Sequence, residues 1–221
     1  MTGDRPAGGR QRLDALLVSR GFYPTRSRAA AAILAGDVIV NGAPAAKAGQ
    51  QVAGDAGIEV RSAPRYVSRG GLKLERAFHV FGLDVRGRTA LDAGASTGGF
   101  TDCLLQQGAR RVIAVDVGYG QLDWRLRQDD RVTVLERKNL RYLEPAELPE
   151  SPSLATLDLS FISLKKVLGA VIKCLQPGFE IVALVKPQFE AGRRQVGSGG
   201  VVRDPAVHRR VLDDIWSFAE E

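Results

Sequence analysis

At 221 residues and 44% hydrophobic content, the chain can bury one large core or a small and a medium one, which excludes disorder as its default state. No stretch reaches the roughly 18 uncharged apolar residues of a membrane-spanning helix, and the N-terminus is polar with Gly and Pro, unlike a secretory leader, so a cytoplasmic location is expected. The net charge of +6 sits in the N-terminal third, where residues 1–76 hold 12 Lys/Arg against 6 Asp/Glu, while the remainder balances at 19 of each. That asymmetry suits a handle for a polyanion.

In chain order, Leu13, Leu16 and Leu17 with Arg20 mark a short amphipathic helix that Gly21 can terminate. A second helix is predicted after Thr25, with Arg26 and Arg28 in its first turns, Ala30, Ile33 and Leu34 on its buried face, and Gly36 at its end. Asp37 to Val40 reads as a strand, Asn41-Gly42 as a type I′ turn, and Ile58 to Val60 as a later strand. Arg61 to Gly71 turns polar and Gly-rich, which sets a boundary near residue 64, a small α+β domain at 10–64, a linker at 65–71 and a larger domain at 72–221.

The larger domain alternates helix and strand. Helices are predicted at 72–81, 100–107, 121–128, 164–175 and 206–220, and strands at 89–92, 112–116, 132–135, 154–158 and 181–185. Apolar strands in such alternation imply a Rossmann-like α/β fold with a parallel, doubly wound sheet. Cys103 and Cys174 are isolated thiols, and with only His79 and His208 beside them no metal set is expected.

Asp92-Ala93-Gly94-Ala95-Ser96-Thr97-Gly98-Gly99 leaves the first of these strands and enters a helix on small residues, so the backbone can approach a ligand closely. Glycines at 94, 98 and 99 break the GxGxxG spacing of dinucleotide sites and leave S-adenosylmethionine as the better fit. Asp116, closing the next strand, is placed to accept hydrogen bonds from ribose hydroxyls, although capping is the ordinary role of aspartates at such turns. Asp158 and Lys186 each close an apolar strand at the carboxyl edge of the sheet, as a functional pair or a structural ion pair. Lys73, taken alone, reads as a solvated helix residue.

The stretch from Arg12-Leu13-Asp14 to Asn41-Gly42 resembles the RNA-binding domain named for ribosomal protein S-four. DAGASTGGFTD, DVGYGQLDW, DLSFISL, LVKPQFE and GVVRDP resemble the TlyA family, known as hemolysin A or ribosomal RNA 2′-O-methyltransferase, and through it the FtsJ-type ribose methyltransferases with their Lys-Asp-Lys-Glu tetrad. The resemblance implies that Lys73, Asp158 and Lys186 are the first three tetrad members, with Lys186 the base and the other two orienting it. The glutamate is expected on a strand beyond residue 221, with the sheet cut short. The resemblance further implies that Gly94, Ser96 and Gly98 line the methionine end of S-adenosylmethionine, that Asp92 shapes the turn near its amino group, and that Asp116 and Asn139 meet its ribose and adenine. Arg12, Arg20, Arg26, Arg28 and Lys47 are expected to grip phosphates of ribosomal RNA or a ribosomal subunit. Three rivals remain: an RNA-binding relative impaired in catalysis, a nicotinamide-dependent oxidoreductase disfavoured by the glycine spacing, and a pore-forming hemolysin, for which no membrane-inserting segment is found.

Overall fold

The computed structural model describes residues 9–61 and 65–220, so the boundary expected near residue 64 falls outside the described residues. The chain divides into two compact units, residues 1–65 and 66–221.

In the first unit, β1 (Gln11–Arg12) runs into α1 (Leu13–Ser19), and α2 (Arg26–Leu34) follows. Thr25 Oγ1 accepts the Arg28 N–H at 3.3 Å and so starts α2 as an N-cap. Next come β2 (Val38–Val40), β3 (Ala43–Pro44), β4 (Gln51–Val52) and β5 (Ile58–Val60). Asn41 and Gly42 both have positive φ, 51° and 80°, the pair of angles that joins β2 and β3 as a tight hairpin. Leu13, Leu16 and Leu17 of α1 pack on Ala29 and Ile33 of α2 and on Val38. The apolar face of α2 is therefore Ala29, Ala32 and Ile33: of the predicted Ala30, Ile33 and Leu34, Ile33 is buried and the other two are not. Leu34 is one residue further round the helix and is 91% exposed.

The second unit begins with α3 (Gly70–Phe81), which ends at Gly82 in the left-handed region. It continues with β6 (Thr89–Ala93), α4 (Gly99–Gln106), β7 (Arg111–Val115), α5 (Trp124–Arg127), β8 (Val132–Leu135) and β9 (Leu154–Leu157). The last elements are α6 (Leu168–Cys174), β10 (Glu180–Ala183), α7 (Pro187–Glu190) and α8 (Pro205–Glu220). The five strands are parallel in the order β10-β9-β6-β7-β8. One apolar cluster covers a face of the sheet through Leu74, Phe78, Leu104 and Leu126, and the other covers the opposite face through Leu143, Leu164, Val171 and Ile215. This is the doubly wound α/β fold expected.

Three details differ from expectation. Residues 66–71 are no free linker: Tyr66 is 3% exposed, the Val67 N–H donates to Asp102 Oδ2 at 2.8 Å, and Gly70 and Gly71 already belong to α3. A Cβ on Gly71 would lie 2.2 Å from Tyr66 Cγ, so this glycine of the expected linker is a packing surface. The helix predicted at 121–128 shrinks to one turn, started by the Asp123 carboxylate accepting the Arg125 N–H, and the one at 164–175 breaks at Val167 into a 3₁₀ turn and α6.

Strand order reverses between β6 and β9. Sequence-adjacent β7 and β8 lie to one side of β6, and β9 and β10 to the other, so a crevice opens at the carboxyl ends of the two central strands.

Candidate active site

A cavity of about 400 Å³ occupies that crevice. Its floor is the turn after β6. Gly94 at φ 88° donates its N–H to the Val115 carbonyl at 2.8 Å, Ser96 follows at φ 49°, and Gly98 at φ 96° leads into α4. A Cβ on Gly94 would stand 2.8 Å from Leu159 Cδ2 and 3.2 Å from the Asp158 carbonyl oxygen, and one on Gly98 would stand 2.3 Å from Leu126 Cδ1. The turn is small because two neighbouring segments press on it and because its backbone angles exclude most side chains.

The cavity wall is electrostatic. Asp158 follows β9, Lys186 follows β10, and Lys73 reaches in from the first turns of α3; all three line the cavity with Gly94, Ser96 and Ser160. Asp158 Oδ2 accepts from Lys73 Nζ at 3.0 Å, and Asp158 Oδ1 lies 2.6 Å from Lys186 Nζ, so a single carboxylate bridges both ammonium groups. Lys186 also donates to Ser160 Oγ at 3.0 Å. Burial pushes the Asp158 carboxyl up, but hydrogen bonds from Lys186 and then Lys73 outweigh it and leave the group below the ordinary carboxylate value, hence charged at neutral pH. Lys73 lies 85 residues from Asp158 in the sequence, and its neighbourhood gave no bare signal of this role.

Phe161, next to Ser160, has φ 66° and a 92% exposed ring, which stands 5.2 Å from the ring of Phe189. Left-handed geometry at a bulky residue carries strain, and it is seen where the surrounding structure holds it. The brace is Glu190, whose carboxylate accepts Ser163 Oγ–H at 2.6 Å and the Leu164 N–H at 2.9 Å. Sequence reasoning missed Ser160, Glu190 and the cavity-lining Ser68 and Arg69. The first two lie inside DLSFISL and LVKPQFE, where only the charged strand-ending residues stood out.

Asp116 faces a narrow cleft beside the cavity with Ser96, Gly118, Gln121 and Glu136. Its two carboxylate oxygens accept the Ser96 and Gly118 N–H groups, each at 2.7 Å. Asp92 and Asn139 line neither space. Asp92 is fully buried behind the turn, accepting Thr101 Oγ1–H at 2.6 Å and Thr156 Oγ1–H at 3.2 Å, and burial raises its carboxyl to about 6 against those hydrogen bonds. Asn139 Oδ1 accepts the Arg141 N–H at 3.1 Å and caps a 3₁₀ turn.

In the first unit, buried Asp14 pairs with Arg12 at 2.9 Å and Arg26 at 3.0 Å while both guanidinium groups stay about half exposed. Arg20 is tied instead to the carbonyls of Ala56 and Gly54, at 2.7 and 2.6 Å. Lys47 is exposed.

Residues 66–221 match the model of the FtsJ-like methyltransferases, and residues 11–58 match that of the S4 domain. A 16S/23S rRNA (cytidine-2′-O)-methyltransferase TlyA of Mycobacterium tuberculosis is 51% identical over 214 residues, 96% of this chain and 80% of the relative. The chain belongs to the TlyA family of FtsJ-like methyltransferases. Hemolysin A of Brachyspira hyodysenteriae is 43% identical over 93% of the chain and 86% of its own length. A solved structure from Streptococcus thermophilus, named as a hemolysin, superposes with a TM-score of 0.72 at 47% identity, covering 96% of this chain and 78% of that one. Among the described residues no helix is long and apolar enough to cross a membrane.

Proposed function

We propose that the chain methylates a ribose 2′-hydroxyl of ribosomal RNA with S-adenosylmethionine as donor. The observation that carries this reading is the Asp158 carboxylate held between Lys73 and Lys186 on the wall of a cavity floored by the glycine turn. The residues present suit the donor. Gly94, whose Cβ would collide with Leu159 and the Asp158 carbonyl, keeps the turn tight at the cavity floor, and Gly98 packs the turn on Leu126 outside the cavity lining. The Ser96 side of the turn meets the methionine end, and Asp116 offers a carboxylate to ribose hydroxyls. Asp92 supports the turn from behind rather than touching the donor, and Asn139, engaged as a cap, is not assigned to the adenine.

S-adenosylmethionine supplies an electrophilic methyl group on a sulfonium. The chain's task is to hold the ribose oxygen in line with that methyl and to remove its proton, since a neutral hydroxyl is a weak nucleophile. Lys186, once it has given up a proton to solvent and stands as the neutral amine, takes the hydroxyl proton as the new O–C bond forms and the S–C bond breaks, and Asp158 and Lys73 fix its position. Arg12 and Arg26, with Lys47 and Arg28, bind phosphates and set affinity more than sequence choice. Arg20 serves mainly to fold the first unit.

The test is incubation of the full chain with labelled S-adenosylmethionine and unmodified ribosomal subunits, followed by nucleoside analysis. Label is expected in 2′-O-methylated nucleosides, reduced on the order of 10²-fold or more in Lys186→Ala. Label on a base, or undiminished label in the variant, overturns the reading. RNA binding with no label in the parent chain would favour an RNA-binding relative impaired in catalysis.

A further inference from the structure

We infer that Ser160 is a positioning residue that aims the Lys186 amine. This rests on the proposed role of Lys186 as the base. A lysine nitrogen is tetrahedral, and it can take a proton only while neutral, with two N–H bonds and one lone pair. Two acceptors already stand around Lys186 Nζ: Asp158 Oδ1 at 2.6 Å and Ser160 Oγ at 3.0 Å. With the N–H to Ser160 Oγ as its hydrogen bond and Asp158 Oδ1 in ion-pair contact on a second side, the lone pair takes a remaining tetrahedral direction, and Lys186, Asp158 and Ser160 all line one cavity. Asp158 alone would hold the nitrogen by charge, which sets a distance but no direction, and leave the amine free to turn. Ser160 supplies the second fixed point and stops that rotation.

The local backbone supports the assignment. Ser160 lies two residues beyond Asp158, and the left-handed Phe161, φ 66°, turns the chain immediately after it. Glu190 then fastens the same segment through Ser163 and Leu164 to α7, the helix that begins directly after Lys186. The hydroxyl and the amine it meets are thus carried on two segments bound to each other, 26 residues apart in sequence.

The experiment uses the full chain, labelled S-adenosylmethionine and unmodified ribosomal subunits, with kcat and KM measured for Ser160→Ala, Ser160→Thr and Lys186→Ala. Ser160→Ala is expected to lower kcat about tenfold, the factor set by one hydrogen bond, with KM for donor and RNA within about twofold of the parent. Ser160→Thr keeps the hydroxyl and is expected to recover most of the rate. Unchanged kcat in Ser160→Ala, a loss confined to KM, or a threonine variant as slow as alanine overturns the inference. Undiminished turnover in Lys186→Ala instead overturns the underlying reading of the base. A second readout does not need turnover: the Lys186 ζ-nitrogen resonance in ¹⁵N-lysine-labelled chain is expected to broaden in Ser160→Ala and to persist in Ser160→Thr, and an identical signal in parent and alanine variant also overturns the inference.

Discussion

Asp92→Asn should make the protein more stable above neutrality and remove a pH dependence that the parent shows. Asp92 is wholly buried and accepts from the Thr101 and Thr156 hydroxyls, and its carboxyl is raised from 3.8 to about 6, chiefly by burial. Keeping it ionised therefore costs the fold about 3 kcal/mol relative to the unfolded chain. The sign follows: a raised carboxyl favours the protonated fold, so this contribution is fully present below about pH 4 and is lost as pH rises through about 6. The asparagine amide can accept from Thr101 and donate to Thr156 Oγ1, at an adjustment cost of about 1 kcal/mol. The net gain at pH 8 is then about 2 kcal/mol, or about 4–8 °C in melting temperature for a unit of this size. Thermal and urea unfolding of parent and variant from pH 4 to pH 8 tests this, with the difference between the two curves isolating Asp92 from other carboxylates. A difference that stays flat across the range would refute the burial argument.

The other predictions concern the glycine turn and the first unit. Gly98→Ala should destabilise by about 1–3 kcal/mol and weaken donor binding, because φ is 96° and the new Cβ would fall 2.3 Å from Leu126 Cδ1. Gly82→Ala, with φ 63° and open space around it, should cost about 1 kcal/mol and leave donor binding unchanged; equal effects at the two positions in melting and donor titration would refute the crowding argument. Asp14 is held down to about 2 by the Arg12 and Arg26 guanidinium groups, so its contribution is present above about pH 4 and lost as pH falls toward 2. A carboxyl titration by NMR with a midpoint near 3.8 would contradict this. Asp14→Asn should cost about 1 kcal/mol at pH 7 once solvent screening is allowed for.

The sheet was legible because β6, β7 and β9 are short apolar runs bounded by turn residues, and a buried parallel strand needs little more. Asp158 and Lys186 stood out because charge at the end of such a run is conspicuous. Lys73 did not, since its contact with Asp158 depends on where α3 docks, and only the resemblance raised it. Ser160 was illegible for a different reason: its bond to Lys186 depends on the backbone angle of Phe161 and on a carboxylate from another segment. Asn139 shows the opposite case, in which position in a motif suggested ligand contact but the side chain caps a 3₁₀ turn, while Asp92 sits behind the glycine turn it was expected to shape. In the first unit α1 and α2 were read correctly as elements, yet the buried face of α2 was misassigned, because Ala carries too little apolar signal to outweigh the adjacent Leu34.

Glu190 joins the segment after β9 to the segment after β10 through two hydrogen bonds, Ser163 to one oxygen and Leu164 to the other. Those segments carry Asp158 and Lys186 respectively, so the opposite jaws of the site share one stitch. A displacement of either segment is therefore passed through Glu190 to the other. The site is thus held as a unit: a transplant of DLSFISL alone into another member of this fold would leave behind the carboxylate that fastens it.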